Sequence, residues 1–494
     1  MNRKVGFKFS VIFFAVTVLG LITVLLPDGY QSRAATLATQ NKRTEKRYHI
    51  ASLYPSTRPA RNTAASFVRL TSSRHQKNVH PQRLKKAIQQ SAGYLINACD
   101  FDGKFEYRIN LNPKIEVKPG YNMLRHAGTI YALGMYSHGF PDEITQMAMA
   151  RAARFLRDKT IHALPGRSDL LAVWSDPQII LKQRPLEAKL GGTGLGLVAL
   201  LSMEKIKPAT TPIEDLRKMG NFLRYMQKED GSFYSKYIPS AEGRSDRWKS
   251  LYYPGEAALG LLMLNERDPS AAWLNAAADA IANLARIRAD KTEVEADHWA
   301  LLATAKLLPI YDRSHQPLPR KAILDHAIQI CTSILNQAEQ VSPNPTIYGC
   351  FTDDGRTTPT ATRLEGLLAA LAFLPQEHDA LRKRIKDHVK KGISFLLGSQ
   401  ITKGQYAGAI PRGVHPLPQT HPHYTRSFNR RVSEVRIDYV QHALSAMIQY
   451  DRMFFHTVDK KGSIIKVPSE PEFEITIAWL HGSDHQSDDS GFWE

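Results

Sequence analysis

The sequence has 494 residues, 43% hydrophobic and 23% charged, which is the composition of a globular chain rather than of a disordered or collagen-like one. Three cysteines in this length exclude a disulfide-rich scaffold. The net charge of +18 favours an acidic partner, such as an anionic polysaccharide, lipid headgroups or an envelope polymer. A nucleic-acid partner is not expected, because no nucleic-acid-binding motif accompanies the charge.

Residues 1–34 begin with a cationic stretch and continue as an apolar run. Arg3, Lys4 and Lys8 precede an uncharged segment over 9–27. This pattern predicts a cleaved signal peptide or a retained membrane anchor. Both remain open, because Ser32 and Ala34 offer a cleavage site while the run is long enough to span a bilayer. The rest of the chain is therefore expected to be membrane-anchored and facing the periplasm or the extracellular side, or to be secreted.

The remainder divides into three parts. Residues 35–89 are rich in lysine and arginine and poor in periodic apolar positions, which predicts a basic disordered linker. Residues 466–494 form an acidic tail, without lysine or arginine from Pro468 onward. Over 90–465, apolar residues recur at spacings of three and four and no alternation of period two is sustained, which predicts one all-α domain.

A short motif recurs three times where predicted helices end. It consists of an aromatic residue and leucine, then glutamine or cysteine, then glycine and a second aromatic residue. The copies are Phe222, Leu223, Gln227, Gly231 and Phe233; Phe395, Leu396, Gln400, Gly404 and Tyr406; and Tyr94, Leu95, Cys99, Gly103 and Phe105. We expect the polar side chain to bond backbone groups at the C-terminus of its own helix, and the glycine to take the turn.

A second repeat is a helix rich in glycine, alanine and leucine, with polar residues at its start. Six copies begin at Arg125, Gly191, Tyr253, Asp297, Arg363 and Asp438. Small residues let helices approach closely, and an amphipathic helix precedes each copy, so the sequence predicts six helical hairpins closing into a ring. Six residues are expected near one rim, namely His126, Thr193, Glu256, His298, Glu365 and Asp438.

These two repeats resemble the (α/α)6 toroid shared by six-hairpin glycosidases, terpenoid cyclases and protein prenyltransferase β subunits. The resemblance covers about residues 90–460 and implies an active site on the rim formed by the loops that enter the inner helices. It specifies the architecture better than the chemistry. An open helical solenoid is the structural alternative.

The residues exclude several chemistries of such toroids. The Asp-x-Asp-Asp acid of squalene-cyclase-like enzymes and the Gly-Cys-Gly-Glu-Gln thioester motif are absent. The three cysteines lack the partner spacing of a prenyltransferase zinc set, so no metal and no cofactor are expected. What remains is a carbohydrate-active enzyme acting on an anionic polysaccharide, with glycosidic bond cleavage favoured. The alternatives are a uronate epimerase or lyase, a non-catalytic glycan- or protein-binding toroid, and a terpenoid-cyclase-like enzyme.

Glycosidic cleavage requires two carboxyl groups, one protonated and one ionised. The candidate catalytic residues are Glu256, Asp297 and Glu365, each expected at the start of an inner helix. Glu256 ranks first, with Asp297 as its partner, because glutamate is a poorer helix cap than serine or aspartate. The competing interpretation is that all three carboxylates only cap their helices.

Lyase or epimerase chemistry would instead use a base together with cationic or neutral donors. The candidate substrate-binding residues are Arg125, His126, Tyr131, Tyr253, His298, Trp299, Arg363, Arg436 and Asp438. Each also has a structural interpretation, as a packed or capping residue. A bridge between Cys331 and Cys350 is left open, and His421 and His423 are expected to belong to a loop rather than to a metal site.

Overall fold

In the computed structural model, described for residues 79–241, 243–458 and 464–466, twelve long helices alternate along the chain between two layers. The outer helices are Pro81–Ala98, Glu143–Thr160, Ile213–Tyr225, Ala271–Arg288, Arg320–Glu339 and Asp379–Ser399. The inner helices are Met123–Gly139, Leu190–Ile206, Tyr253–Arg267, His298–Leu307, Thr357–Leu371 and Ile437–Phe454. The inner helices are rich in glycine, alanine and leucine and are buried nearly all round, as helices between two layers must be.

Connection length fixes the direction of the helices. An inner helix passes to the following outer helix through a short connection, such as 140–142 or 268–270, which forces the two helices to run antiparallel. An outer helix passes to the next inner helix through a longer one, such as 99–122 or 400–436, except at 289–297, which is short. All six inner helices therefore run in the same direction, and the long loops gather at their N-terminal ends. This end is called the rim.

The ring closes. Each inner helix packs against the next one along the chain, and the last, Ile437–Phe454, packs against the first, Met123–Gly139. Each outer helix lies over the junction of two inner helices; Pro81–Ala98, for example, contacts both Ile437–Phe454 and Met123–Gly139. The predicted (α/α)6 toroid of six helical hairpins is confirmed, and the open solenoid is excluded.

Glycines hold the inner helices close together. A Cβ on Gly194 would lie 2.7 Å from the Glu256 carbonyl oxygen, and one on Gly260 would lie 2.7 Å from the Gly194 carbonyl oxygen. Neither contact leaves room for a methyl group. The close approach predicted from the small residues of the second repeat is therefore present.

The first repeat links neighbouring outer helices rather than closing its own helix. The polar side chain in each copy donates to a backbone carbonyl of the next outer helix in the ring. The pairs are Cys99 with Ala148, Gln227 with Ala276, and Gln400 with Ala87. Gln227 also donates to Gly231, so the expected bond within the turn is made in that copy.

The turn glycines of this repeat abut the same outer helices. Gly103 and Gly231 have positive φ, and a Cβ on either would lie within 2.4 Å of a carbonyl oxygen, that of Arg151 or Asp279. In the copy that begins at Phe395, the glycine of the sequence motif, Gly404, is not the one that abuts the next outer helix. Gly404 has nothing within 4 Å of its Cβ position, whereas Gly408 would place a Cβ 1.9 Å from the Gln90 oxygen.

Short strands occupy the long loops, which the absence of period-two alternation did not predict. A five-stranded antiparallel sheet lies between the second and third hairpins, and two strand pairs lie elsewhere. The sheet consists of Ile161–Leu164, Arg167–Ser175, Glu187–Lys189, Lys236–Ile238 and Gly243–Ser245, and the pairs are Arg108–Asn110 with Glu434–Arg436 and His456–Val458 with Ile464–Lys466. Most have only three residues, too few to show an alternation.

The remaining short elements lie in connections. They are the helices Pro177–Ile180 and Arg426–Arg431 and the 3-10 turns Leu308–Arg313, Pro345–Ile347 and Gln376–His378. All three cysteines are buried and free, so Cys331 and Cys350 are not bridged.

The first outer helix begins at Pro81, inside the range 35–89 that the sequence assigned to a linker. The predicted signal or anchor over 1–34 lies outside the described residues, as does the acidic tail beyond residue 466. Among the residues the structure describes, none of the helices has the length and apolarity needed to cross a bilayer.

Candidate functional site

Three inner helices bring two histidines and a glutamate together inside the ring. His298 begins one of these helices, Glu365 lies in the middle of the next, and His442 lies in the last. His442 Nδ1 is 2.7 Å from Glu365 Oε2, His298 Nε2 is 4.0 Å from the same oxygen, and the two imidazole rings are 5.5 Å apart. Because Thr357–Leu371 lies between the helices of His298 and His442 in the ring, their side chains meet on its lumen side. We call this group the His-Glu-His cluster.

His298 is enclosed by aromatic rings, and within the described part of the chain it makes no side-chain hydrogen bond. Its side chain contacts Tyr252 at 5.1 Å and Trp299 at 4.9 Å between ring centroids. His298 is only 1% exposed, and neither ring nitrogen has a hydrogen-bond partner among the described residues. Leaving a buried donor and acceptor unpaired costs about 1–3 kcal/mol, so such groups are uncommon unless a ligand or water is to meet them.

The two imidazoles have opposite pKa shifts. Burial lowers the pKa of His298 well below its usual value, helped by the positive charges of His442 and Arg363. Burial also acts to lower the pKa of His442, but the hydrogen-bonded Glu365 carboxylate outweighs it and the pKa is raised. Glu365 itself has a raised pKa because burial outweighs its bonds to His442 and Ser445. The cluster thus pairs an imidazole whose pKa is lowered with one whose pKa is raised.

Glu256 is a second buried carboxyl, at the junction of two inner helices. Burial, assisted by the negative charge of Asp297, raises the pKa of Glu256 to about 8. Its Oε2 has no hydrogen-bond partner among the described residues, and it lies against Gly191, where a Cβ would be only 1.9 Å away. Glu256 is therefore a protonated acid at neutral pH.

Asp297 is fully engaged within the protein. Its carboxylate accepts from Arg288 Nη2 at 2.8 Å and from the Ala300 amide at 3.1 Å, which caps the helix His298–Leu307. Arg288 comes from the outer layer and also lies 3.2 Å from His326 Nε2. Asp297 thus holds the two layers together, and its oxygens already have partners.

Two arginines share one carboxylate at the rim. Arg436 donates to both oxygens of Asp438, from Nε at 2.6 Å and from Nη2 at 2.9 Å, and Arg125 Nε lies 3.1 Å from Oδ2, the oxygen that accepts from Arg436 Nη2. Burial opposes ionisation of Asp438, but both guanidinium groups outweigh it and lower its pKa to about 2. Arg125 also donates to the Tyr107 hydroxyl. We call Arg125, Asp438 and Arg436 the arginine clamp.

A surface cleft of about 340 Å³ opens at the rim on another side of the lumen. Arg363 lines it, with Nε buried and lacking a hydrogen-bond partner among the described residues. The charge of Arg363 influences the pKa of both Tyr252 and His298, which places the cleft close to the His-Glu-His cluster. The other lining residues are Gln337, Gln340, Val341, Phe351, Thr352, Asp353, Asp354, Arg356 and His423.

The structure disperses some of the predicted site residues. His126 lies between the layers, where Tyr121 Oη at 2.8 Å and the Ala152 carbonyl at 2.9 Å engage both ring nitrogens, and burial lowers its pKa to about 4. Thr193 also faces outward and accepts from the Val173 amide. Glu365 is not at a helix start, because its helix begins at Thr357.

Three other predicted residues stay near the lumen. Tyr131 lies within electrostatic range of Glu365, and the Trp299 ring lies beside both imidazoles, 4.9 Å from His298 and 6.3 Å from His442. Tyr253 packs against Gly191 and lies 5.5 Å from the exposed ring of Trp248.

Sequence analysis missed His442 and Tyr252 as site residues. His442 was visible as the residue four positions after Asp438, which places both on one face of the same helix. The ligand atoms of His298, Glu365 and His442 all lie within 4.8 Å of one another, so these residues could also hold a metal ion. The 2.7 Å between His442 Nδ1 and Glu365 Oε2 is, however, a hydrogen-bond distance, so the present arrangement is that of an acid–base pair.

Solved structures share this architecture. A cellobiose 2-epimerase from Spirochaeta thermophila DSM 6192 matches with a TM-score of 0.54 and 14% identity over 76% of this chain and 97% of that one. A D-mannose isomerase matches with a TM-score of 0.51 and 11% identity over 74% and 97%. The chain therefore shares the (α/α)6 toroid fold of these structures. At these identities the likeness concerns the fold. No family model and no curated protein matches the sequence.

Proposed function

We propose that this toroid is a carbohydrate-active enzyme that moves a proton at the carbon next to a sugar carbonyl, as an epimerase or isomerase does. The observation that carries the proposal is the buried pair of imidazoles, one neutral and unpartnered and one made basic by Glu365. The similarity to structures named as a cellobiose 2-epimerase and a D-mannose isomerase agrees with a sugar-directed reaction.

Each residue of the His-Glu-His cluster has its own role in this proton transfer. Glu365 accepts the Nδ1 proton of His442, which leaves Nε2 of His442 as the base that removes the proton from the sugar carbon. The bonding electrons pass to the carbonyl oxygen and give an enediolate. A neutral imidazole can stabilise that oxygen as a hydrogen-bond donor, which is the role of His298. Delivery of a proton to the opposite face of the same carbon gives the epimer, and delivery to the former carbonyl carbon, with transfer of the hydroxyl proton between the two oxygens, gives the isomer.

Glycosidic bond cleavage is the second candidate, favoured by one observation. Glu256 is protonated at neutral pH, as a general acid for the leaving oxygen must be. Its expected partner Asp297 is already engaged by Arg288 and a backbone amide, so the second carboxylate of a hydrolase would have to be Glu365. Glu365 is in turn bonded to His442, which makes the proton-transfer reaction the better fit.

Deuterium exchange tests the choice. The full-length protein is incubated with reducing saccharides in D2O, and NMR follows deuterium entering the sugar at the carbon beside the carbonyl. His442→Gln should slow exchange by roughly 10²–10⁴-fold, whereas Glu256→Gln should leave it in place. The matched control is His388→Gln, which alters a histidine of an outer helix.

Release of shorter saccharides would instead establish cleavage, if Glu256→Gln abolished it and His442→Gln did not. Binding of saccharides without exchange or cleavage would favour the non-catalytic toroid.

Location and substrate charge also belong to this proposal. The cationic and apolar start of the chain supports placing the toroid on the far side of a membrane, acting on an anionic envelope glycan. A reporter enzyme that works only in the cytoplasm, fused after Glu494, should be inactive. Activity of that fusion would refute this location.

A further inference from the structure

We infer that the arginine clamp is an anion subsite and that the substrate of this toroid is an acidic saccharide, whose carboxylate or phosphate binds between Arg125 and Arg436. The inference rests on the proposed function, because it places the charged group relative to the His-Glu-His cluster. It depends on three features of the structure: the balance of charges, the position of the clamp, and its unused hydrogen-bond donors.

The clamp contains more positive than negative charge. Two guanidinium groups share one carboxylate, and Asp438 has partners on both sides. Arg436 is bound through Nε and Nη2, and Arg125 through Nε to Asp438 and Nη1 to Tyr107. Among the described residues, Nη1 of Arg436 and Nη2 of Arg125 make no hydrogen bond. These are the donors an incoming anion would meet.

The residues next to the arginine clamp also carry more positive than negative charge. Glu434 accepts from Arg431 at 3.0 and 3.2 Å and lies 3.6 Å from Arg108, so it too is shared by two guanidinium groups. Arg412 lies within electrostatic range of Glu434, and its buried Nη1 has no partner among the described residues. Five arginines thus surround two carboxylates in this part of the rim. A bound anion would offset the excess positive charge.

The position of the clamp matches a substrate that reaches His442. Asp438 and His442 are four residues apart on the same inner helix, so the clamp lies one turn nearer the rim on the same face, about 5–6 Å away between Cβ atoms. Both Arg125 and Asp438 influence the pKa of His442. A sugar whose reacting carbon meets His442 would therefore present a nearby substituent to the clamp.

The clamp remains partly open to solvent. The side chains of Arg125 and Arg436 are 18% and 11% exposed, whereas Asp438 is 7% exposed. Both arginine side chains are thus more exposed than the carboxylate they share. A planar guanidinium pair binds carboxylate or phosphate oxygens well, because its donors match their geometry.

Calorimetry on the full-length protein tests the subsite with matched pairs of ligands. The probes are glucuronate against glucose, galacturonate against galactose, glucose 6-phosphate against glucose, and inorganic phosphate alone. On the wild-type protein, at least one acidic sugar should bind about tenfold or more tightly than its neutral counterpart, the size expected for charge-assisted bonds. A preference for the uronates assigns a carboxylate, and a preference for glucose 6-phosphate assigns a phosphate.

Substitutions test whether the arginine clamp causes the preference for acidic over neutral sugars. Arg125→Gln and Arg436→Gln should each reduce the acidic-over-neutral ratio to about threefold or less, and Arg436→Lys should retain part of it. The matched control is Arg217→Gln, which removes an arginine paired with Asp268 just beyond the C-terminal end of an inner helix and should retain the full ratio. Circular dichroism identifies any variant that fails to fold.

Equal binding of acidic and neutral sugars to the wild-type protein would overturn the inference, whatever the variants do. Inorganic phosphate binding as tightly as the sugar phosphate would also overturn it, because the site would then not recognise a saccharide. Acidic preference without deuterium exchange would support the subsite while refuting the proposed reaction. Exchange on neutral sugars alone would support the reaction and refute the subsite.

Discussion

At the scale of single residues, the chemistry of the lumen depends on what surrounds otherwise identical side chains. His298 and His442 are both buried, and burial penalises the charged imidazole in both. Of the two, His442 alone has a carboxylate of the described residues within hydrogen-bond distance, and Glu365, assisted by the charge of Asp438, outweighs burial and raises the pKa of His442. Two histidines whose ring centroids are 5.5 Å apart thus have pKa values shifted in opposite directions.

The pH dependence of turnover tests this pairing. The base form of His442 is needed, so kcat/KM should fall as the pH decreases through its raised pKa. Glu365→Gln removes the carboxylate that raises the pKa, so the acidic limb of the profile should move to lower pH while the maximal rate falls. The measurement is kcat/KM from pH 5 to 9 for both proteins. An acidic limb that stays in place would remove Glu365 from this role.

Glu256 makes stability depend on pH in a defined direction. The pKa of Glu256 is raised from 4.5 to about 8. The stabilisation that the protonated carboxyl gives the folded protein is therefore fully present below pH 4.5 and is lost as pH rises toward 8. Glu256→Gln cannot ionise, so the variant should gain Tm relative to wild type as pH increases from 5 to 9. Within that window, the difference in free energy of unfolding between variant and wild type changes by at most about 1.4 kcal/mol per pH unit.

Glu266 provides the opposite control. Burial opposes its ionisation, but Lys306 and Lys205 outweigh it and lower its pKa, so its ionised form stabilises the fold above the unfolded pKa. Glu266→Gln should therefore lose Tm relative to wild type at pH 7. A Tm difference for Glu256→Gln that stays constant with pH would show that this carboxyl is not protonated in the folded protein.

At the scale of elements, the close packing of the inner helices depends on which glycines face a neighbouring helix. Gly191 and Gly192 are neighbours in the helix Leu190–Ile206, and the sequence treats them alike. A Cβ on Gly191 would lie 1.9 Å from Glu256 Oε2, whereas one on Gly192 would meet nothing nearer than Leu124 Cδ1 at 3.5 Å. Only the packing of the next inner helix distinguishes them.

This difference gives a matched pair of substitutions. Gly191→Ala should destabilise the protein by roughly 1–3 kcal/mol, because the methyl group displaces Glu256 or separates the helices. Gly192→Ala should be neutral or stabilise by up to about 1 kcal/mol, because alanine has the higher helix propensity. Chemical denaturation of both variants measures the difference. Equal effects would mean that Glu256 does not lie against Gly191.

At the scale of the whole molecule, the ring depends on the contact between its last turn and its first helix. Gly408 and Gly404 both have positive φ, but only Gly408 abuts Gln90 of the first outer helix. Gly404→Ala should cost about 1–2 kcal/mol of backbone strain. Gly408→Ala adds a clash and should cost roughly 1–3 kcal/mol more. Thermal unfolding checks this, and similar losses in both variants would argue against closure at this point.

The sequence alone determined the layering of this protein. Apolar spacing set the helices, small residues marked the inner ones, and the six repeats predicted the closed ring, because these features depend on neighbours along the chain. Glu256, Glu365 and His298 were selected because each was expected at the polar start of an inner helix.

Only the tertiary structure decided which of these residues meet. Whether His126 faces outward, whether Asp297 is engaged by Arg288, and whether His442 reaches Glu365 depend on how each helix is rotated in the ring. That rotation is set by close contacts such as Gly191 with Glu256 and Gly366 with His298, between residues 65 and 68 positions apart in the chain. Local periodicity carries no information about such distant partners. The contact of His298 and His442 with Glu365 is therefore visible only in the tertiary structure.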